Sequence, residues 1–236
     1  MAIADIRRDY TVGHLERSDL DANPLMQFER WFGEAAQARS GGGRFRRFAI
    51  GIYKSFAALF GGINLEANTM ALATVSADGK PSVRTVLLKG VDERGFVFFT
   101  NYASRKGTEL AANPNASLVF YWPDLERQVC IAGAVTKLPR AESEQYFHSR
   151  PTGSQIAAVV SDQSSIIADR SVLEAAFRKL AEQFAHGRVP MPEHWGGYAL
   201  APERVEFWQG RASRLHDRFS YTRNPDGSWL VQRLAP

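Results

Sequence analysis

Two arginines and a histidine occupy every second position of the segment Arg214-Leu215-His216-Asp217-Arg218. Alternate side chains of an extended strand share a face, so this spacing predicts Arg214, His216 and Arg218 on one side and Leu215, Asp217 and Phe219 on the other. Two guanidiniums and an imidazole stay together only against an anionic or polar ligand, or against water; alone, the row equally describes a solvated strand face. A second pair of cations, Arg84 and Lys89, brackets the apolar run of RTVLLK, which reads as sheet interior. Their odd spacing sends them to opposite faces unless a bulge intervenes. They then serve different anions or different sides of one site, or each reaches water at a strand end. In NYASRKGTEL, Ser104 is placed to cap a helix whose first turn carries Arg105 and Lys106. Cations there oppose the helix dipole, a sign that a bound phosphate reverses; two exposed cations are the competing reading. Finally, EQYFHSRPTGSQ sets Tyr146 and Arg150 on one helix face with Ser154 past the proline, donors suited to a phosphate monoester but also found on ordinary helices.

Other residues carry less. His186 and His194 lack metal-site spacing and carboxylate company, His14 and His148 stand alone, and no metal site is expected. There is no G-x-S-x-G, no P-loop and no G-x-G-x-x-G in strand-to-helix context, so nucleophilic hydrolysis and a Rossmann cofactor site find no support. Trp208, in EFWQG, reads as a core aromatic that can also wall a flat ring system. Several cation-rich sites together suggest two phosphorylated small molecules in one apolar-walled barrel.

The elements that must position these residues are legible in outline. Asn23 to Ala38 predicts a helix, with Asn23 as N-cap, Pro24 at its first position and Leu25, Phe28, Trp31 and Phe32 on one face. TMALATVS, SVRTVLLKG and FVFFTN, separated by the turns ADGKP and DERG, predict two successive hairpins and hence an antiparallel meander. A helix from Ser104, strands in ASLVFYW and ERQVCIAGAVTKL, a helix from Pro139 to Ser149 stopped by Pro151, and a helix from Ser171 to His186 follow. GGYALAP, RVEFWQG, SRLHDRFSYTR and SWLVQRL return to strands. Six to eight antiparallel strands with interspersed helices predict an α+β fold built on a closed or half-closed barrel, as a single domain spanning 1–236.

Composition narrows the function classes. The 236 residues are 44% hydrophobic, 23% charged and 11% aromatic, a globular balance. The single Cys130 can form no intrachain disulfide, no apolar run is long enough to span a bilayer, and MAIADIRRDY carries charges where a signal peptide needs apolar residues. A cytoplasmic location is the expectation. The net charge of +4 is concentrated in Arg39, Arg44, Arg46, Arg47 and Lys54, and removing those five leaves −1. A nucleic-acid footprint is therefore absent.

RTVLLKG, FFTNYASRKGTEL, LERQVCIAG, YFHSRPTGSQI, SDQSS, WGG, VEFWQG, RLHDRF and the terminal RLAP, in this order along nearly the whole chain, resemble the pyridoxamine (pyridoxine) 5'-phosphate oxidase family. The resemblance implies an FMN-binding split barrel with flanking helices, working as a homodimer with flavin at the subunit interface. It implies oxidation of pyridoxamine or pyridoxine 5'-phosphate to pyridoxal 5'-phosphate, with hydride passing from the 4' carbon to FMN and O2 reoxidising the flavin to give H2O2. By resemblance, Arg84, Thr85, Val86, Leu87, Leu88 and Lys89 contact the flavin, as do Phe99, Thr100, Arg105 and Lys106. Gln128, Gln163, Ser164, Trp208 and Arg218 complete that set. Lys89, Tyr146, Arg150 and Ser154 surround the substrate phosphate, while Arg214 and His216 lie near the pyridine ring as the catalytic pair. An N-terminal arm, about residues 1–22, supplies Arg7, Arg8 and Tyr10 as lid residues. The alternatives are a non-catalytic flavin or pyridoxal-phosphate carrier on the same barrel, and a flavin reductase.

Residues 39–65 depart from the family pattern. Phe45, Phe48, Ala49, Ile52, Phe56, Leu59 and Phe60 form one helical stripe with Arg46, Arg47 and Lys54 away from it. Such a basic amphipathic insert packs on its own barrel or lies on an anionic membrane surface or partner; packing is the plainer expectation.

Overall fold

The structure, a computed structural model, describes residue 3 and residues 9–38 and 67–236. Arg7, Arg8 and the insert 39–65 lie outside the described residues. The chain forms two compact units, one from Met1–Ala71, Ser117–Ala132 and Pro202–Pro236, the other from Leu72–Ala116 and Gly133–Ala201.

Nine strands and five α-helices are present among the described residues. The strands are β1 (Thr69–Val75), β2 (Pro81–Leu87), β3 (Gly90–Asp92), β4 (Gly95–Asn101), β5 (Asn115–Trp122), β6 (Arg127–Lys137), β7 (Trp195–Gln209), β8 (Asp217–Arg223) and β9 (Trp229–Leu234). Their order is β2-β1-β5-β6-β7-β4-β3, with β8 paired to β7 and β9 to β8. The helices are α1 (Pro24–Ala38), α2 (Arg105–Ala112), α3 (Arg140–Ser149), α4 (Thr152–Val160) and α5 (Arg170–Gln183).

In the first unit α1 begins as predicted: the Asn23 side chain accepts from Leu25 N at 2.9 Å, and Pro24 needs no partner at the first position. Its inner face buries Phe28 against Phe120 (centroids 4.8 Å) and Trp31 against Phe207 (5.2 Å), with the Arg127 guanidinium 4.3 Å from the Trp31 ring. Each such aromatic contributes about 1.5–3 kcal/mol on burial. Two buried carboxylates tie the N-terminal arm to this unit. Glu126 accepts from Val12 N at 2.9 Å, and Asp217 accepts from Leu15 N at 3.1 Å, Arg233 at 2.8 Å and Arg211 at 3.1 Å.

In the second unit β4 buries Phe96 and Phe98 and pairs antiparallel with the first half of β7, Phe96 opposite Leu200 and Asn101 opposite Trp195. The chain then turns directly into α2, where Ser104 caps Gly107 N as the sequence implied. Glycine is required at 107, since a Cβ there would lie 2.2 Å from the Tyr102 carbonyl oxygen.

Several expectations are corrected. The two hairpins do not continue as a meander; β2-β1 and β4-β3 occupy opposite ends of the strand order, because β5, β6 and β7 pair between them. The RTVLLK run is not sheet interior: β2 ends the strand order, Thr85 is exposed and Leu87 is 43% exposed, although Leu88 is buried. Pro151 does more than stop α3, for it starts α4 within one residue. GGYALAP and RVEFWQG are one continuous 15-residue strand, and the described residues form nine strands rather than six to eight. The segment SRLH is not extended. Ser213 and Arg214 have φ of 57° and 62°, a short 3-10 turn occupies Ala212–Arg214, and β8 starts only at Asp217, so strand alternation does not align Arg214, His216 and Arg218.

Candidate functional site

The second unit holds a cavity of about 970 Å3 with a cationic cluster at each of two places along its wall. The first cluster is built on β2 and α2. From β2, Arg84 donates to Thr74 Oγ1 (2.5 Å), Leu72 O (3.2 Å), Ser82 Oγ (2.5 Å) and Glu109 Oε2 (3.1 Å). Glu109, one turn along α2, also receives Ser82 Oγ at 2.6 Å, Thr74 Oγ1 at 2.5 Å and Arg105 Nε at 3.0 Å. Burial raises the Glu109 carboxyl, but the hydrogen bonds from Ser82, Thr74, Arg105 and Arg84 outweigh it and bring the pKa to about 2. Lys106 is buried, and its Nζ donates to Gln163 Oε1 at 2.8 Å and Ser104 Oγ at 3.4 Å. Burial first, then Arg84, lower its pKa, against a smaller opposing pull from Glu109. The loop after α4 closes the cluster: Gln163 Oε1 also accepts from Thr100 Oγ1 (3.3 Å), and Ser164, at φ 80°, receives Arg105 N at 3.2 Å.

Two guanidiniums thus pair with one carboxylate in the first turns of α2, with the Lys106 ammonium nearby. Lys106 has no carboxylate within ion-pair distance among the described residues. A buried ammonium satisfied only by neutral oxygens is costly unless a further anion joins it, so this donor set fits the phosphate of FMN.

The second cluster lies where α3 gives way to α4. Arg150 Nη2 donates to Ser154 O at 2.8 Å, its guanidinium carbon sits 4.9 Å from the Trp195 ring centroid, and its Nη1 is buried with no hydrogen-bond partner. Burial lowers the Arg150 pKa, against a smaller upward effect of Tyr146. Lys89, exposed as a residue, has its ammonium shifted down by partial burial and then by Arg150. Tyr146 stacks on Phe99 at 3.9 Å, and burial raises its hydroxyl, with Arg150 opposing. No carboxylate pairs with Arg150 or Lys89 among the described residues. Two uncompensated cations and an orphaned buried N–H form a second anion grip.

Of the residues expected at the site, the cavity wall gathers Arg84 to Leu87, Lys89, Phe99, Thr100, Arg105 and Lys106. Tyr146, Arg150, Ser154, Gln163 and Ser164 line it too. Leu88 is buried and does not line it.

The first unit places the others. Tyr10 meets Trp208 edge-on at 5.6 Å and His216 at 5.6 Å, and Trp208 lies 4.7 Å from His216. Gly210 makes room, since a Cβ there would come within 2.8 Å of the Tyr10 ring. Arg211 N donates to His216 Nδ1 at 3.0 Å, which leaves the neutral imidazole's proton on Nε2. Burial, then Arg214, lower the His216 pKa against Asp217, keeping that neutral form. Arg214 is exposed. Arg218 is engaged by Glu206 (2.8 Å) and Ala235 O (2.8 Å), and Gln128 donates to Cys130 Sγ at 3.2 Å.

Sequence reasoning missed Glu109, Trp195 and Glu126. Only Glu109 left a signal, its i,i+4 relation to Arg105.

No helix among the described residues is long and apolar enough to cross a membrane. Comparison with known proteins gives concordant matches. The family model for pyridoxamine 5'-phosphate oxidase matches residues 62–184, and that for the pyridoxine 5'-phosphate oxidase C-terminal dimerisation region matches residues 195–236. Pyridoxine/pyridoxamine 5'-phosphate oxidase 1 of Ralstonia nicotianae is 52% identical over 100% of this chain and 99% of its own length. The Leptospira interrogans oxidase of serovar copenhageni is 49% identical over 99% and 98%. Among solved structures, PhzG from Burkholderia lata 383, in complex with tetrahydrophenazine-1-carboxylic acid, superimposes with a TM-score of 0.81 at 29% identity, covering 97% of this chain and all of that one. An FMN-binding, pyridoxamine 5'-phosphate oxidase-related protein from Nostoc punctiforme shares the fold at a TM-score of 0.68 and 16% identity, over 92% of this chain and all of that one. The α+β antiparallel split-barrel fold expected from the sequence is therefore the fold of this chain, and the chain belongs to the pyridoxine/pyridoxamine 5'-phosphate oxidase family.

Proposed function

We propose that this protein oxidises pyridoxine or pyridoxamine 5'-phosphate to pyridoxal 5'-phosphate with FMN as cofactor, acting as a homodimer with flavin at the subunit interface. The observation that carries the reading is the pairing of two anion grips in one cavity, one around Lys106 and one around the orphaned Arg150 Nη1. Relatives about 50% identical over their whole length, whose names state this activity, supply the choice of substrate. The C-terminal region that matches a dimerisation model supports the homodimer, and the lone Cys130 accords with a cytoplasmic site of action.

In this reading Arg84, Arg105, Lys106, Gln163 and Ser164 hold the flavin phosphate. The edge strand β2 offers the backbone of Thr85 to Leu87 to the ring, and Gln128, Trp208 and Arg218 are further flavin contacts. FMN, when bound, supplies the two-electron oxidising chemistry that side chains lack, with O2 as final acceptor and H2O2 as product. Lys89, Tyr146, Arg150 and Ser154 fix the substrate phosphate. Arg214 orients the substrate ring and His216 donates to it from Nε2, neither acting as a strong base. Tyr10 covers the substrate. The protein's contribution is orientation, an effect worth about 7 kcal/mol or more in favourable cases.

Purified protein is expected to be yellow and to bleach anaerobically on addition of pyridoxamine 5'-phosphate, with air restoring the colour and producing peroxide. Bound flavin that no vitamer bleaches would show a carrier; fast NAD(P)H oxidation without vitamer turnover would show a reductase. Arg214→Ala is expected to lower kcat by about thirtyfold with flavin affinity nearly unchanged. Normal turnover with lost flavin, by stopped-flow and flavin titration, would reject the assigned role.

A further inference from the structure

Arg140 stands outside every role assigned above, and Trp195 has entered the site only as the ring beneath Arg150. Arg140, the first residue of α3, spends its guanidinium on the loop that leads into β7: Nη2 donates to Met191 O at 2.9 Å, and Nη1 to Pro192 O at 2.9 Å, Glu193 O at 3.4 Å and Trp195 O at 3.3 Å. One cation thus meets four carbonyls of this segment, of which Pro192 O also accepts from Trp195 N at 3.2 Å. Tyr102 N holds the same loop from α2's approach by donating to His194 O at 2.6 Å.

The loop ends on Trp195, a residue only 6% exposed. It lies within 14° of parallel to Phe99 at 5.4 Å and within 8° of parallel to Tyr146 at 6.2 Å, and Phe147 abuts it edge-on at 5.1 Å. The Arg150 guanidinium rests over this surface, 4.9 Å from the Trp195 centroid and 5.7 Å from that of Phe147. With no carboxylate to hold it among the described residues, the Arg150 head is kept in place by Ser154 O and by the aromatic faces. A ring face attracts a cation without neutralising it, so the platform aims Arg150 and leaves its charge free for an anion.

We propose that Arg140 is a positioning residue for recognition of the substrate phosphate: by pinning the 191–195 loop it sets Trp195 as the platform on which Arg150 is presented. The proposal rests on the oxidase reading for the identity of the phosphate, but not for the grip itself.

The test is made on the FMN-loaded full chain. In Arg140→Met, KM for pyridoxine 5'-phosphate and Kd for pyridoxal 5'-phosphate are each expected to rise about tenfold, with kcat within about twofold and flavin Kd unchanged. Trp195→Leu should match it, Trp195→Phe should recover most of the affinity, and Arg140→Met should add nothing in an Arg150→Lys background. Unchanged KM and Kd, a fall in kcat and flavin content with KM constant, or full additivity with Arg150→Lys would each overturn the proposal. Should Arg140→Met fail to fold, Arg140→Lys and the two Trp195 variants carry the same comparison. Failure of the oxidase reading is visible separately: wild-type protein would then bind pyridoxal 5'-phosphate without turning over the vitamer substrates, and the Kd comparison would still decide the positioning role.

Discussion

Arg150→Ala is expected to raise KM for pyridoxine 5'-phosphate by about a hundredfold, close to 2.7 kcal/mol, while flavin content and the flavin spectrum stay as in the wild type. The guanidinium carries the only buried side-chain N–H in the cavity wall left without a partner among the described residues, and its other terminal nitrogen is already oriented by Ser154 O. A phosphate meeting it gains charge-assisted bonds without displacing an existing ion pair. Arg150→Lys should restore part of the affinity, because a point charge replaces the fork but not its planar geometry. Stability should move the other way or not at all, since an arginine with no paired carboxylate bears its burial without compensation. Saturation kinetics and thermal melts on the same preparations check both halves, and an unchanged KM would remove Arg150 from the phosphate grip. Lys89 adds a pH signature. Its pKa is lowered by burial and by Arg150, so its charge is present below that depressed value and lost as pH rises through it. Affinity for the phosphorylated substrate should therefore weaken on the alkaline side at a pH below the usual lysine range.

Glu109→Ala should have the largest effect on the folded state, about 3 kcal/mol, together with loss of bound flavin. The carboxylate is the shared acceptor of Arg84, Arg105, Ser82 and Thr74, and its removal leaves the two guanidiniums and the buried Lys106 facing one another unopposed. Glu109→Gln keeps the shape but not the charge and should fall between. In the folded protein the pKa is lowered from 4.5 to about 2. The stabilisation is accordingly complete above the ordinary carboxylate value and is lost as pH falls from about 4.5 towards 2. Urea melts at pH 7 and at pH 3 read this directly: the wild type should lose stability between them, and Glu109→Gln should lose less. Equal losses in both proteins would show that Glu109 is not the group responsible.

Much of this arrangement was legible in the chain. Asn23 and Pro24 announced α1, Ser104 announced α2, and the clustering of Arg105 with Lys106 and of Tyr146 with Arg150 pointed to two anions before any contact was known. What failed did so for physical reasons. Strand order depends on pairings between distant segments, which local periodicity does not encode, so two hairpins read as a meander although three longer strands separate them. Two consecutive left-handed residues, Ser213 and Arg214, broke the alternation that seemed to align Arg214, His216 and Arg218, and nothing in either side chain advertises that conformation. Trp195 matters through what it touches, a property absent from its own local pattern, and the i,i+4 spacing of Glu109 from Arg105 announces only one of its four partners.

The two-residue junction between α3 and α4 carries a thermodynamic consequence. Arg150 (φ −80°, ψ 152°) is followed by Pro151 (φ −52°, ψ 142°), whose ring both fixes its own torsion and confines the residue before it to extended geometry. The direction in which that arginine leaves the backbone is thus settled during folding, with much of the entropic cost already removed from the unfolded chain. An arriving phosphate finds its receptor preorganised and loses little of its binding energy to ordering it.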